Sequence, residues 1–310
     1  QYNQAMGAQA LFKNTTGDYN IALGQSAGRQ NQTGDENVSI GYRAMYSNTV
    51  SDNTAVGSQA LEANTTGTGL VAVGYQALTA NTTAAGNTAV GFDALKANTT
   101  GTRNLAIGYK AYDAADTEND NLAIGYDAMG GNVAGGVENI AIGNYALDAL
   151  TSGDYNTAIG MNAMGVATTA VEGVAIGAYA LAGQTGDYNT AIGYRALTTS
   201  GSGYDNVAVG NDAMRLTTGS SKNVAVGRKA LEANTTGPGN VAIGHSALKA
   251  LTTSTGCIAI GEAAATANTT GARNIAIGYQ AYDASDTESD NIAIGYQAMT
   301  TNTAGGSQNI

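Results

Sequence analysis

The chain holds one histidine, His245, and one cysteine, Cys257, so nucleophile-and-base chemistry has few places to start. A Cys–His or Ser–His–Asp site needs its partners brought together by the fold. These two residues stand at different places in a repeated motif. His245 follows a glycine where other copies carry Tyr42, Tyr75, Tyr109, Tyr126, Tyr194, Tyr279 and Tyr296, whereas Cys257 replaces a recurrent Asn. No catalytic residue is expected from them. Carboxylates are more crowded. Asp113, Asp116, Glu118 and Asp120 share one turn, and Asp283, Asp286, Glu288 and Asp290 repeat it. Hard oxygen ligands suit calcium, but the spacing is not that of an EF-hand loop and its glycine is missing. Solvated acidic loops, with no metal or cofactor, are the expectation.

Two further residue sets could meet other molecules. N-T-T and related sequons stand at Asn14, Asn31, Asn64, Asn81, Asn98, Asn234 and Asn268. They are formal N-glycosylation acceptors, although Asn and Thr are also ordinary turn residues. Asn37 is a further sequon in a different register. The tyrosine column could stack on sugars or on a partner surface, or cover its own neighbours on adjacent strands.

What positions all of these is a repeat, and internal periodicity is read first. Residues 104–129 contain NLAIGY twice, and the passage returns at 274–299 as NIAIGYQAYDASDTESDNIAIGYQAM. Taking the glycine of each A-[IV]-G as an anchor gives 18 copies from Gly7 to Gly295, spaced by 17 residues, with two spacings of 16 and one of 18. The unit is N-x-A-[IV]-G-x-x-A-[LM]-x-x-N-T-T-G-x-x. Ala stands two before the anchor in 17 of 18 copies, Ala three after it in all 18, and Asn four before it in 15 of 18. A larger block of ten units is duplicated, so that 104–140 matches 274–310. Residues 1–310 read as one uncapped array, a window of a longer chain.

Composition narrows the class. The sequence has 43 Gly, 17 Tyr, two Phe, one Pro and no Trp. Large core formers are scarce, yet Ile and Val recur too regularly for disorder. A net charge of −11 disfavours nucleic acid and anionic membrane surfaces. No apolar run has membrane-spanning length.

A 17-residue unit is too short for two packed helices. N-x-A-[IV]-G suits a short strand, x-x-A-L suits a second one, and N-T-T-G-x-x is turn chemistry. Two short strands per copy describe one coil of an all-β parallel solenoid of about 18 coils. Stacked at about 4.8 Å, these would make a rod roughly 85 Å long. On the first strand the residues three and one before the anchor share a face, for example Val71 with Val73 or Leu105 with Ile107. Ala and Gly occupy the other face. Neither face is polar, so both should be buried, which calls for another chain. The Asn column should form an internal ladder.

The repeated N-x-A-[IV]-G-x-x-A resembles the head repeats of trimeric autotransporter adhesins, the YadA-like left-handed parallel β-roll. Its longer form, Y-x-A-L-x-x-N-T-T-G, resembles repeat arrays of bacterial surface and phage tail-fibre proteins. The resemblance spans the whole chain. It implies a parallel, in-register homotrimer, side by side or intertwined, in an extracellular fibre of a cell surface or virion. Surface glycans or host matrix would be partners of the complete fibre, and no catalytic residues carry over. The readings are an adhesin-like head or shaft, a phage tail-fibre shaft, or, in another class, a β-helix carbohydrate-active enzyme with clustered carboxylates in a cleft. The unit here is a few residues longer than the usual adhesin head repeat, so one turn must be larger.

Overall fold

Each copy of the repeat opens with a three-residue strand, and successive strands pair in parallel. In the computed structural model the chain divides into two compact units, Gln1–Tyr155 and Asn156–Ile310. The structure describes residues 2–131, 135–183, 185–199, 201–284, 286–300 and 308–309. The end of the duplicated segment, at 301–307 and 310, lies outside them. Among the described residues the first unit carries nine strands, β1 (Gln4–Met6) to β9 (Ile140–Ile142), and the second carries nine more, β10 (Thr157–Ile159) to β18 (Ile292–Ile294). Within each unit every strand pairs with the next, residue for residue. Ala72 faces Ala89 and Ala89 faces Ala106 in the first unit; Ala225 faces Ala242 and Ala242 faces Ala259 in the second. Each unit is therefore an all-β parallel solenoid whose coil is one repeat.

The irregular spacings leave this register intact. Across the 16-residue step from Gly41 to Gly57, Ser39 still faces Ala55. The deletion falls in the turn, where the Val50 carbonyl accepts Asn37 Nδ2 at 2.8 Å and Asn48 Nδ2 at 2.7 Å. Across the 18-residue step Asn121 Nδ2 still reaches the Gly136 carbonyl at 2.9 Å, and Leu122 still faces Ile140.

The x-x-A-L stretch is not a second strand. In the coil that begins at Gly57, Gln59 and Leu61 have φ of 61° and 51° and alternate with residues of negative φ. The alternation rounds the corner and keeps the coils bonded. Ala60 N–H closes a turn onto Gly57 O (3.4 Å), Leu61 N–H donates to Ala77 O of the next coil (3.0 Å), and Gln59 N–H donates back to Tyr42 O (2.8 Å). Left-handed φ opposes a non-glycine residue by roughly 1–2 kcal/mol. An unpaired buried N–H would cost about 1–3 kcal/mol, so the ladder favours the left-handed residue. The anchor is stricter. Gly91 has φ 144°, outside the left-handed region that side chains tolerate, and a Cβ there would run into the Gly108 carbonyl.

The interior is narrow and built from small side chains. Both alanine columns are buried, as in Ala89 and Ala94, with the Leu or Met that follows, such as Leu95 and Met129. Two Asn ladders run through it, where one was expected. In the expected ladder, Asn104 N–H donates to Asn87 Oδ1 (2.8 Å) and Asn121 N–H to Asn104 Oδ1 (2.9 Å), while Asn87 Nδ2 crosses the coil to Gly101 O (2.7 Å). The second ladder is made by the Asn of N-T-T: Asn81 Nδ2 donates to Asn64 Oδ1 at 2.9 Å and Asn98 Nδ2 to Asn81 Oδ1 at 3.1 Å. In the coil of Gly108 that second Asn is replaced by Ala115, and the buried Tyr112 hydroxyl accepts from Asn121 Nδ2 at 2.7 Å instead. Tyr282 does the same for Asn291 at 2.7 Å.

Candidate functional site

Strand alternation sends Ala inward and its β-branched neighbours outward. Ala259 is fully buried, while Ile258 and Ile260 are 36 % and 38 % exposed. The expectation that both faces of the strand are buried therefore holds only for the inner one within the chain. The outer face is a two-lane, mostly apolar strip in each unit, with Val71 and Val73 in one coil and Leu105 and Ile107 two coils on; threonine interrupts one lane at Thr54, Thr88, Thr157 and Thr190.

Beside this strip, in the first unit, runs the aromatic column. Tyr75, Phe92, Tyr109 and Tyr126 stack with centroid separations of 5.1, 5.1 and 5.3 Å, and Tyr145 closes the row edge-on at 5.3 Å from Tyr126. The rings cover one another's faces and leave edges to solvent. Face-on sugar stacking is thus available only at the ends of the row. Tyr279 and Tyr296 form a shorter stack at 5.5 Å, Tyr194 meets Tyr179 edge-on at 6.2 Å, and Tyr42 stands exposed. The sequence reading missed Phe92, Tyr145 and Tyr179. Phe92 occupies the tyrosine column itself, so a column read by aromatic character would have included it.

The other candidates are dispersed. His245 lies on the outer side, with Nδ1 3.7 Å from Glu262 Oε1. Cys257 lies inside and makes the bonds of the Asn it replaces: its N–H donates to Asn240 Oδ1 (2.8 Å) and its Sγ to Gly271 O (3.1 Å). Burial pushes this thiol above its ordinary value. The outer His and the inner Cys do not form a pair.

The acidic turns are tied down separately. Asp120 forms a two-pronged pair with Arg103 (2.6 Å), as Asp290 does with Arg273 (2.6 and 2.7 Å). The guanidinium hydrogen bonds hold both carboxyls below their usual range. Glu118 is buried and accepts from Asp116 N (3.0 Å), Thr117 N (3.1 Å) and Gly135 N (3.0 Å). Its counterpart Glu288 accepts from Thr287 N at 3.3 Å. Asp116 and Asp286 offer their main-chain carbonyls to Thr99 and Thr269 of the preceding coils. Asp113 and Asp283 are raised by burial. Among the described residues no group of three or more His, Cys, Asp or Glu is placed to hold a metal ion, and no pocket opens.

The sequon asparagines point inward. Asn31, Asn64, Asn81, Asn98, Asn234 and Asn268 are buried. Asn64, Asn98, Asn234 and Asn268 each donate Nδ2 to the glycine carbonyl three residues on, at 2.8–3.0 Å. Asn14 accepts from Asn3 Nδ2 at 3.4 Å, and its own Nδ2 is buried. Asn37 is a buried member of the other ladder. A glycan on these nitrogens would have to occupy the coil interior. The turn instead shows its threonines, with Thr65 Oγ1 donating to Thr82 O at 2.9 Å along the outside.

No protein-family model matches the chain, and no curated protein matches it.

Proposed function

We propose that this chain is a structural segment of an extracellular fibre, an adhesin-like head or shaft of a cell surface, and that it assembles as a parallel, in-register homotrimer. The observation that carries this reading is the outer strand face, where Ile, Val, Leu and Thr side chains stand part-exposed coil after coil. Monomeric proteins keep contiguous apolar patches small. A parallel copy in register would meet the strip with the same 17-residue period at every rung. Each rung would then bury apolar area worth about 25 cal/mol per Å², and the gain would grow with length. The strictest columns are Ala, Gly and Asn, which pack and turn the backbone; the more variable turn residues lie on the surface, where a glycan or matrix partner would be met. This role needs no catalytic residue, metal or cofactor. A phage tail-fibre shaft is the same object attached to a virion.

Mass photometry of the recombinant chain tests the reading. Three chains per particle are expected, persisting at high salt because the contact is apolar. A folded monomer at micromolar concentration overturns it.

A further inference from the structure

Residues two and five after the anchor form two columns on one side of each solenoid. Their ion pairs prove the adjacency: Lys96 Nζ lies 3.0 Å from Asp93 Oδ2, and Arg215 Nε lies 3.7 Å from Asp212 Oδ1. In the first unit, the four coils from Gly91 to Gly143 place Asp93, Asp113, Asp127 and Asp148 in these columns against Lys96 and Lys110. In the second unit, the four coils from Gly193 to Gly244 place Arg195, Arg215, Lys229 and Lys249 there against Asp212 and Glu232. Over these four coils the side is acidic in the first unit and basic in the second, in a chain whose net charge is −11; outside them the same columns carry Arg29 and Arg43 in the first unit and Asp283 in the second.

Neither patch is balanced from within. Arg215 takes both nearby carboxylates, Glu232 at 3.3 Å and Asp212 at 3.7 Å. Among the described residues Arg195, Lys229 and Lys249 have no carboxylate within ion-pair distance, and Arg195 only lies over the Tyr194 ring at 5.0 Å. On the acidic side, Oδ1 of Asp93 and Oδ1 of Asp148 are buried without a hydrogen-bond partner. Burial raises Asp113 and Asp148, and the neighbouring Asp127 adds to both shifts. Carboxylates crowded in this way gain from an incoming cation.

We propose that the acidic side of the first unit of one copy docks on the basic side of the second unit of another, joining solenoids laterally. Parallel solenoids that meet through this side exchange columns, so the second-position column of one stands against the fifth-position column of the other. With the coil of Gly91 against that of Gly210, Asp93 meets Arg215, Asp113 meets Lys229 and Asp127 meets Lys249. In the same register the two lysines of the acidic side meet the two carboxylates of the basic side. Opposed patches of this kind steer approach and fix register. The contact uses different surfaces on its two partners, so it is heterologous. It is separate from the apolar strand face and stands without the trimer.

Sedimentation of the full chain at two salt concentrations tests it. At about 0.01 M, where charges act over roughly 30 Å, the wild type forms species larger than its basic assembly; at about 1 M, where that reach falls to roughly 3 Å, they dissolve. Lys229→Glu with Lys249→Glu abolishes them, and so does Asp113→Lys with Asp127→Lys. Mixing the two variants restores them, because the reversed pairs match again; this also shows that both variants are folded. Larger species that persist at about 1 M salt, or that survive either double reversal, overturn the proposal. A wild type that never associates at low salt overturns it too. Retention on heparin that is lost with Lys229→Glu and Lys249→Glu, without salt-sensitive self-association, assigns the basic side to an anionic polymer instead.

Discussion

Gly91 and Gly86 are both glycines of positive φ, yet they bear different loads. Gly86 sits at φ 71°, where an added Cβ would meet Arg103 Cγ at an ordinary 3.6 Å. Gly91 sits at φ 144° against the next coil's backbone. Gly86→Ala is expected to destabilise by about 1 kcal/mol, and Gly91→Ala by about 3 kcal/mol or more, since strain and a backbone clash add. Equal midpoint shifts in denaturant would refute the distinction. Tyr112 is a second case. Tyr112→Phe keeps the packing and removes the hydroxyl that serves Asn121, so a loss of about 1 kcal/mol is expected. The clue to this role was already in the residues: Tyr112 and Tyr282 occur where the N-T-T asparagine is missing. What the residues could not convey is that a hydroxyl from the Leu column reaches the ladder, because that depends on the width of the coil.

At the scale of the coil, the strand and its inward alanines were legible because period-two patterning and strict columns both mark them. Ala163→Leu should overpack the fully buried interior and destabilise by about 1–3 kcal/mol, measurable by thermal unfolding. The corner was not legible. Nothing in x-x-A-L announces a leucine at positive φ, since the compensation comes from hydrogen bonds to a coil 17 residues away. N-T-T-G likewise reads the same whether its Asn points in or out. The acidic side of the first unit adds a pH dependence. Asp113 and Asp148 are pushed above the ordinary value of 3.8, chiefly by burial. Between 3.8 and those raised values the folded chain binds more protons than the unfolded chain, so stability rises as pH falls through that window. Asp120 and Asp290 act oppositely, losing their contribution as pH falls through their lowered values, but both are exposed and screened. The melting temperature is expected to rise on mild acidification. Asp113→Asn with Asp148→Asn should raise it at neutral pH and flatten the rise; a double variant that melts lower at neutral pH contradicts this.

At the largest scale, within each unit the main-chain hydrogen bonds between coils run along its stacking direction, and among the described residues coil bonds to neighbouring coil. Tension along that direction therefore loads successive rungs in series, opening each ladder like a zipper instead of shearing many bonds at once. A coil that yields gives up about 4.8 Å of stacked rise and pays out its 17 residues, roughly 55–60 Å when extended. Pulled along its stacking direction, a unit should lengthen by about 50 Å for each coil released, at low and nearly equal forces, because the coils are near-copies of one another. Such a tether absorbs work by paying out length while its remaining coils stay folded.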